Sequence, residues 1–124
     1  MRIKRKAFDA LVDKAIAELP PQFARWVDRV PIIIEDEPSE ETLEEFGVDD
    51  EGTLLGSYQG VALTHRGVED SGMLPDQIMI FRRPLMEMCA DAAELEREVR
   101  KTLLHELGHY AGLDEDDLEK MGYG

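Results

Sequence analysis

Two histidines and a glutamate near the end of the sequence have the residue types and spacing of a metal site. His105 and His109 are four residues apart with Glu106 directly after the first, in the pattern H-E-x-x-H. Residues four apart are separated by roughly 40° around an α-helix and by one turn along it, so both imidazoles would point the same way. They would fill two of the four tetrahedral positions of a zinc ion from one rigid element. Glu106 would hold a water at the metal and take its proton.

A third ligand is expected beyond the glycine that follows this pattern. Gly112 can end a helix three residues after His109, and four acidic residues follow shortly. The whole stretch reads H-E-x-x-H-x-x-G-x-x-E, which places Glu115 where a ligand beyond the turn would fall. A carboxylate there completes a His₂Glu set with the fourth position open for water. Asp114 and Asp116 are the alternative ligands, and the acidic run is also typical of a solvated helix start.

These side chains need a helix that packs through a different face. Residues 91–111 are rich in strong helix formers and predict the longest helix of the chain. Val99, Leu103, Leu107 and Tyr110 make an apolar stripe along it. Because the histidines lie off this stripe, the helix can pack on a sheet while it presents the metal ligands on another side.

The rest of the sequence predicts a small sheet with further helices. β-branched and apolar runs predict strands at residues 30–34, 54–58, 61–64 and 77–81, with a hairpin turn at Gln59-Gly60. Apolar periodicity predicts helices or helical turns at residues 6–18, 22–27, 85–90 and 114–120. Arg82-Arg83-Pro84 is interpreted as a break after the last strand. The predicted fold class is α+β, a small mixed sheet packed with helices, in a single domain of residues 1–124.

Composition and charge limit the partners of the protein. The 124 residues suffice for one modest core, and the formal net charge of −14 repels nucleic acids and anionic membranes. No apolar run, Ile32-Ile33-Ile34 included, is long enough to cross a membrane. Cys89 is the single cysteine, so no internal disulfide can form, which is typical of a reducing compartment. We expect a cytoplasmic protein that binds neither nucleic acid nor membranes.

Much of the negative charge is concentrated in one stretch. Residues 35–51 hold ten Asp and Glu side chains and predict a solvated loop with one helical turn around Leu43 and Phe46. The alternative interpretation is a surface that binds a cation or a basic peptide.

Several segments together resemble a known family. They are LLGSYQG at residues 54–60, LPDQI at 74–78, FRRPL at 81–85, and HELGHYAG at 105–112 with the acidic run after it. In these the chain is similar to the small bacterial zincin-like metallopeptidases, also called minimal zincins. The resemblance covers nearly the whole chain and implies a helix-plus-sheet zincin core without most of the usual lower subdomain. The family usually has aspartate at the third-ligand position, where this chain has Glu115, a carboxylate longer by one methylene.

Motif and resemblance together predict a zinc-dependent metallopeptidase that hydrolyses peptide bonds through a metal-activated water. Zinc would be held by His105, His109 and Glu115, and Glu106 would be the general base. The substrate would be a peptide or protein, and the net charge favours basic ones.

The position of the substrate and two other functions stay open. A peptide would lie extended along a sheet edge, at residues 61–64 or 77–81. The first alternative is a non-catalytic metal- or peptide-binding module with a vestigial site. The presence of Glu106 is an argument against it, because a purely structural zinc site needs no adjacent base. The third possibility is an acidic interaction protein that binds a basic partner through residues 35–51.

Overall fold

Helices and strands are mixed along the part of the chain that the computed structural model describes: residues 1–47, 54–60 and 76–120, apart from the side chain of Glu115. This mixture confirms the predicted α+β class. In chain order the elements are α1 (Arg5–Ala17), α2 (Pro21–Val27), β1 (Ile32–Glu35), α3 (Glu40–Glu45), β2 (Gly56–Gln59), β3 (Gln77–Phe81), α4 (Arg82–Met88), α5 (Ala92–Tyr110) and α6 (Glu115–Lys120).

The three described strands form one mixed sheet with β3 in the centre, in the order β1-β3-β2. β3 pairs parallel with β1 and antiparallel with β2, so Ile80 lies between Ile34 and Gly56. Of the two strands expected as alternatives for the sheet edge that binds a peptide, residues 77–81 are therefore excluded, because β3 forms backbone hydrogen bonds on both sides. The predicted strand at residues 61–64, and with it the hairpin, lies outside the described residues.

Capping explains the bounds of the longest helix and of the short helix in the acidic stretch. α5 is one residue shorter at each end than predicted, and the side chain of Asp91 before it accepts a hydrogen bond of 2.8 Å from Glu94 N. Ser39 caps α3 in the same way, because Thr42 N donates to its Oγ over 3.1 Å. A helix of six residues, with glutamates in its first turn, therefore replaces the predicted single turn.

Helix α4 begins earlier than the sequence predicts, directly after β3. The expectation is a break at Arg82-Arg83-Pro84 and a helical turn at residues 85–90. Instead α4 starts at Arg82, which leaves Pro84 in the first turn, where a backbone N–H would have no partner within the helix. The free N–H of Arg83 donates to the carbonyl of Asp36 over 2.9 Å, so the end of β1 satisfies the start of α4.

Helix α5 lies at the centre of the packing. It contacts β2 and β3 as well as α1, α2 and α4. Val99, Leu103, Leu107 and Tyr110 are all buried, which confirms the predicted apolar stripe. Burial of each large apolar side chain stabilises the fold by roughly 1.5–3 kcal/mol relative to exposure. None of the helices in the described ranges is long and apolar enough to span a membrane.

Arg82 ties the start of α4 to the end of β1 and to the amino-terminal segment. Its Nε donates to Asp36 Oδ1 over 2.8 Å and its Nη1 to the carbonyl of Ile3 over 3.0 Å. Arg5 Nη1 lies 3.7 Å from the same carboxylate oxygen. The hydrogen bond from Arg82 and the positive charges of the neighbouring arginines hold the pKa of the Asp36 carboxyl below its usual range.

We predict that Asp36→Asn destabilises the protein at neutral pH and that this effect shrinks in acid. Because the pKa of Asp36 is lowered in the folded state, its carboxylate stabilises that state above about pH 4, the ordinary pKa of aspartate. This stabilisation disappears as the pH falls through the lowered pKa. Urea unfolding of wild type and variant from pH 7 to pH 3 measures the change. The exposed Asp13, changed to Asn, is the charge-matched control; a destabilisation by Asp36→Asn that is independent of pH would contradict the prediction.

Candidate metal centre

His105, Glu106 and His109 come together in the second half of α5. One ligand atom of each lies within 4.8 Å of those of the other two. The two imidazole rings are 4.5 Å apart between centroids and inclined by 72° to each other. Both histidines are partly exposed, whereas the apolar stripe of the same helix is buried. The structure thus brings together three of the four predicted site residues.

Glu106 is nearly buried, with 6% of its surface exposed, and it contacts one of the histidines. Its Oε1 lies 3.2 Å from Nδ1 of His109. When Nδ1 carries the imidazole proton, it donates to the carboxylate and leaves Nε2 with the electron pair that a metal needs. Because a carboxylate has two acceptor oxygens, the same side chain can orient His109 and accept a proton from another group.

Strand β2 approaches α5 closely beside Glu106. A Cβ atom on Gly56 would lie 2.6 Å from the methyl group of Thr102, 2.9 Å from the carbonyl oxygen of Met79 and 3.5 Å from Cγ of Glu106. The Thr102 hydroxyl donates to the carbonyl of Glu98 over 2.8 Å, one turn back in α5. Only glycine permits this approach, so Gly56 fixes the distance between the sheet and the candidate site. Sequence reasoning did not give Gly56 this role, because the contact joins residues far apart in the chain.

The turn after α5 holds α6 against the same helix. Gly112 has a positive φ of 90°, and the N–H groups of Gly112 and Leu113 donate to the carbonyls of His109 and Gly108 over 3.0 and 2.9 Å. This is a Schellman motif, which ends a helix with a left-handed residue, usually glycine. A Cβ on Gly108 would lie 2.4 Å from Cδ2 of Leu118, a fully buried residue of α6. The absence of a side chain at Gly108, next to His109 in the chain, therefore lets α6 pack against α5 there.

The sequence predicts the third ligand at Glu115, with Asp114 and Asp116 as alternatives. Glu115 is the first residue of α6, but its side chain lies outside the described part of the structure, so its role stays a prediction. Asp114 caps α6: its Oδ1 accepts from Asp117 N over 2.8 Å, and Asp117 Oδ2 accepts from Asp114 N over 3.1 Å. The hydrogen bond from Asp117 N stabilises the charged carboxylate and so lowers the pKa of Asp114. Among the described residues, neither Asp114 nor Asp116 belongs to the group that could hold a metal.

The donor chemistry of the described group fits zinc. Zinc is bound in proteins by imidazole nitrogens, thiolates and carboxylate oxygens, and catalytic sites keep one position open. Calcium and magnesium instead require a shell made almost wholly of oxygen. Two imidazoles and a carboxylate side by side therefore suit zinc, with His105 and His109 as the nitrogen donors.

A cleft of about 450 Å³ opens beside this group. Its volume lies within the range of small-ligand sites, roughly 300–1,000 Å³. His105, Glu106 and His109 line it together with polar residues from the preceding turns of α5, Glu98, Lys101 and Thr102. Other lining residues come from β2, the segment before it and the ends of α3 and α4. The sequence does not predict these lining residues, because no local pattern indicates that the ends of α3 and α4 lie close to the two histidines of α5.

Comparison with known proteins agrees with this arrangement. Residues 27–124 match the family described as zincin-like metallopeptidase. A solved structure, a conserved hypothetical protein from Thermo thermophilus, is 25% identical and has a TM-score of 0.56, over 96% of this chain and 97% of that one. A search of curated proteins gives no match. The family match covers most of the sequence, including both α5 and α6, and on this basis the chain belongs to the zincin-like metallopeptidase family.

Proposed function

We propose that this protein is a zinc-dependent peptidase that hydrolyses peptide bonds. The observation that carries the proposal is the group of His105, Glu106 and His109, whose ligand atoms lie within 4.8 Å of one another on the wall of an open cleft. The family match supports the same reaction class. A buried structural zinc site would need neither an open cleft nor a carboxylate between its histidine ligands.

Each residue has a distinct part in the proposed reaction. His105, His109 and Glu115 would hold the zinc ion, which when bound supplies Lewis acidity toward the carbonyl of the scissile peptide. Glu106 would take the proton of the attacking water and give it to the leaving amine. Its Oε1, 3.2 Å from Nδ1 of His109, would at the same time keep that imidazole in the orientation and tautomer needed for binding metal.

The docking of α6 supports Glu115 as the third ligand. Leu118 contacts Gly108, which lies between Glu106 and His109 in α5. Glu115 is three residues before Leu118, about one helical turn away in the same helix, so we expect its carboxylate on the side of α6 that faces α5.

Substitutions at two glutamates separate the proposed roles. Glu106→Gln keeps an oxygen that can accept from His109 but cannot take a proton, so we predict normal zinc affinity with hydrolysis about 100- to 10,000-fold slower. Glu106→Ala also removes the contact with His109 and should weaken zinc binding by about 10- to 100-fold. Glu115→Ala should weaken zinc binding too, whereas the exposed Glu119→Ala in the same helix should not. Zinc titration with a chelating indicator and a peptide cleavage assay measure the two properties.

Two results would change the interpretation. If Glu106→Gln loses zinc while Glu115→Ala binds it normally, the roles of base and ligand are reversed. If the zinc-loaded wild type cleaves no peptide at all, the protein is instead the non-catalytic metal- or peptide-binding module.

We further propose that the substrates are basic peptides. The formal net charge is −14, and α3, which carries four glutamates, ends next to the cleft residue Phe46. Glu98 also lines the cleft, beside the single cation Lys101 among its described lining residues. A negative field of this kind raises the local concentration of cationic ligands.

Peptides rich in Lys or Arg should accordingly be cut faster than acidic peptides of equal length. Since the attraction acts through the long-range field, the advantage should shrink as salt rises past about 0.1 M, where the screening length is about 10 Å. Digestion of a peptide library at two salt concentrations measures it. A preference for acidic peptides, or a basic preference that salt does not change, would show that local contacts select the substrate.

A further inference from the structure

The cleft at the candidate metal centre has an exposed apolar wall. Phe46 and Met88 are the two large hydrophobic side chains that are exposed in the described ranges, with exposed fractions of 41% and 48%. Both line the cleft that holds His105. Leu54 and Leu55, which precede β2 and are partly buried, line it as well. Scattered exposed apolar residues are common, but a group of them inside a ligand-sized cleft indicates a binding surface.

The two exposed side chains lie at the ends of two helices, α3 and α4. Phe46 follows α3 directly, and its N–H closes the last turn by donating to the carbonyl of Thr42 over 3.1 Å. Met88 is the last residue of α4, whose preceding residues Pro84, Leu85 and Met86 are buried. Buried residues of α4 thus hold Met88 at the cleft, and the turn that ends α3 places Phe46 there as well.

Charge and size indicate what covers this wall. A second copy of the chain would bring another net charge of −14 to the contact, and an anionic membrane would be repelled in the same way. The cleft volume of about 450 Å³ accommodates a short stretch of peptide, and the wall is continuous with the candidate metal centre. A peptide that enters the site must therefore lie beside these apolar side chains.

We propose that Phe46 and Met88, with Leu54 and Leu55, form a subsite for one large apolar side chain of the peptide near the bond to be cut. This inference rests on the proposed peptidase function and adds a specificity to it. The preferred substrate then combines a Leu-, Phe- or Met-type side chain in the subsite with basic residues elsewhere. The apolar contact supplies local selectivity, and the charge of the protein supplies long-range attraction.

The test uses two basic peptides that differ only in a central Leu or Ser, and it measures binding as well as cleavage. Binding is followed by fluorescence anisotropy with the zinc-loaded Glu106→Gln variant, and cleavage with the zinc-loaded protein that has Glu106. One methylene more or less in an apolar pocket changes the ratio of two ligands' affinities or rates by about tenfold or more. The Leu peptide should therefore bind about tenfold more tightly and be cut about tenfold faster than the Ser peptide.

Phe46→Ala combined with Met88→Ala should reduce this preference to about twofold or less. Both side chains are exposed, so the double variant should fold; circular dichroism and thermal unfolding check this, and Phe46→Tyr, which keeps the ring, should retain the preference. The matched control is Leu43→Ala, a substitution on α3 outside the cleft, which should leave the preference unchanged.

The outcomes distinguish the subsite from the peptidase function. If neither peptide is cut but the Leu peptide binds more tightly, and the double variant loses this difference, the subsite stands without the enzyme. If both peptides are cut equally fast, or the double variant keeps the preference, the subsite is refuted. The peptidase function stands in either case as long as the zinc-loaded wild type cuts a peptide. If sedimentation shows that wild type forms dimers that the double variant does not form, and peptides do not compete with them, the wall is an interface between copies and the proposal fails.

Discussion

The packing of α5 against β2 determines the position of everything in the candidate site. One face of α5 is buried through Val99, Leu103 and Leu107, and a neighbouring face carries the two histidines. β2 approaches this helix so closely that a single methyl group at Gly56 would overlap with Thr102. This contact lies beside Glu106 and therefore sets how deep its carboxylate lies and how the sheet borders the cleft. A helix is rigid enough that fixing one face also fixes the direction of the other.

The carboxyl-terminal end of α5 also packs against α6. The Schellman turn at Gly112 reverses the chain, and the absence of a side chain at Gly108 lets Leu118 pack onto the helix. The motif H-E-L-G-H thus has a packing function in addition to its donor atoms. Within the described residues, the ends of α3 and α4 complete the cleft beside this helix.

The sequence predicts the elements that have strong local signals and misses those that depend on distant contacts. The bounds of α5 and of β3 follow from periodicity, caps and β-branched runs, and they agree with the structure within one residue. The central position of β3 could not be predicted, because strand order depends on pairings between distant segments. Sequence reasoning places α4 too late, because it interprets proline as a break although the first turn of a helix tolerates it. At the site, spacing alone brings His105, Glu106 and His109 together, whereas the contact of Gly56 with α5 and the apolar wall of the cleft arise from packing between elements.

Zinc content is the most direct measure of whether these side chains form a metal site. Wild type and the double variant His105→Ala/His109→Ala are loaded with zinc, desalted at neutral pH and analysed for bound metal, and His65→Ala, which removes the remaining histidine of the chain, is the control. We predict one zinc ion per chain in wild type and in the control, and almost none in the double variant. The ion should also leave the wild type in acid, because only neutral imidazole binds metal. Equal zinc content in wild type and the double variant would contradict the assignment of the metal site to α5.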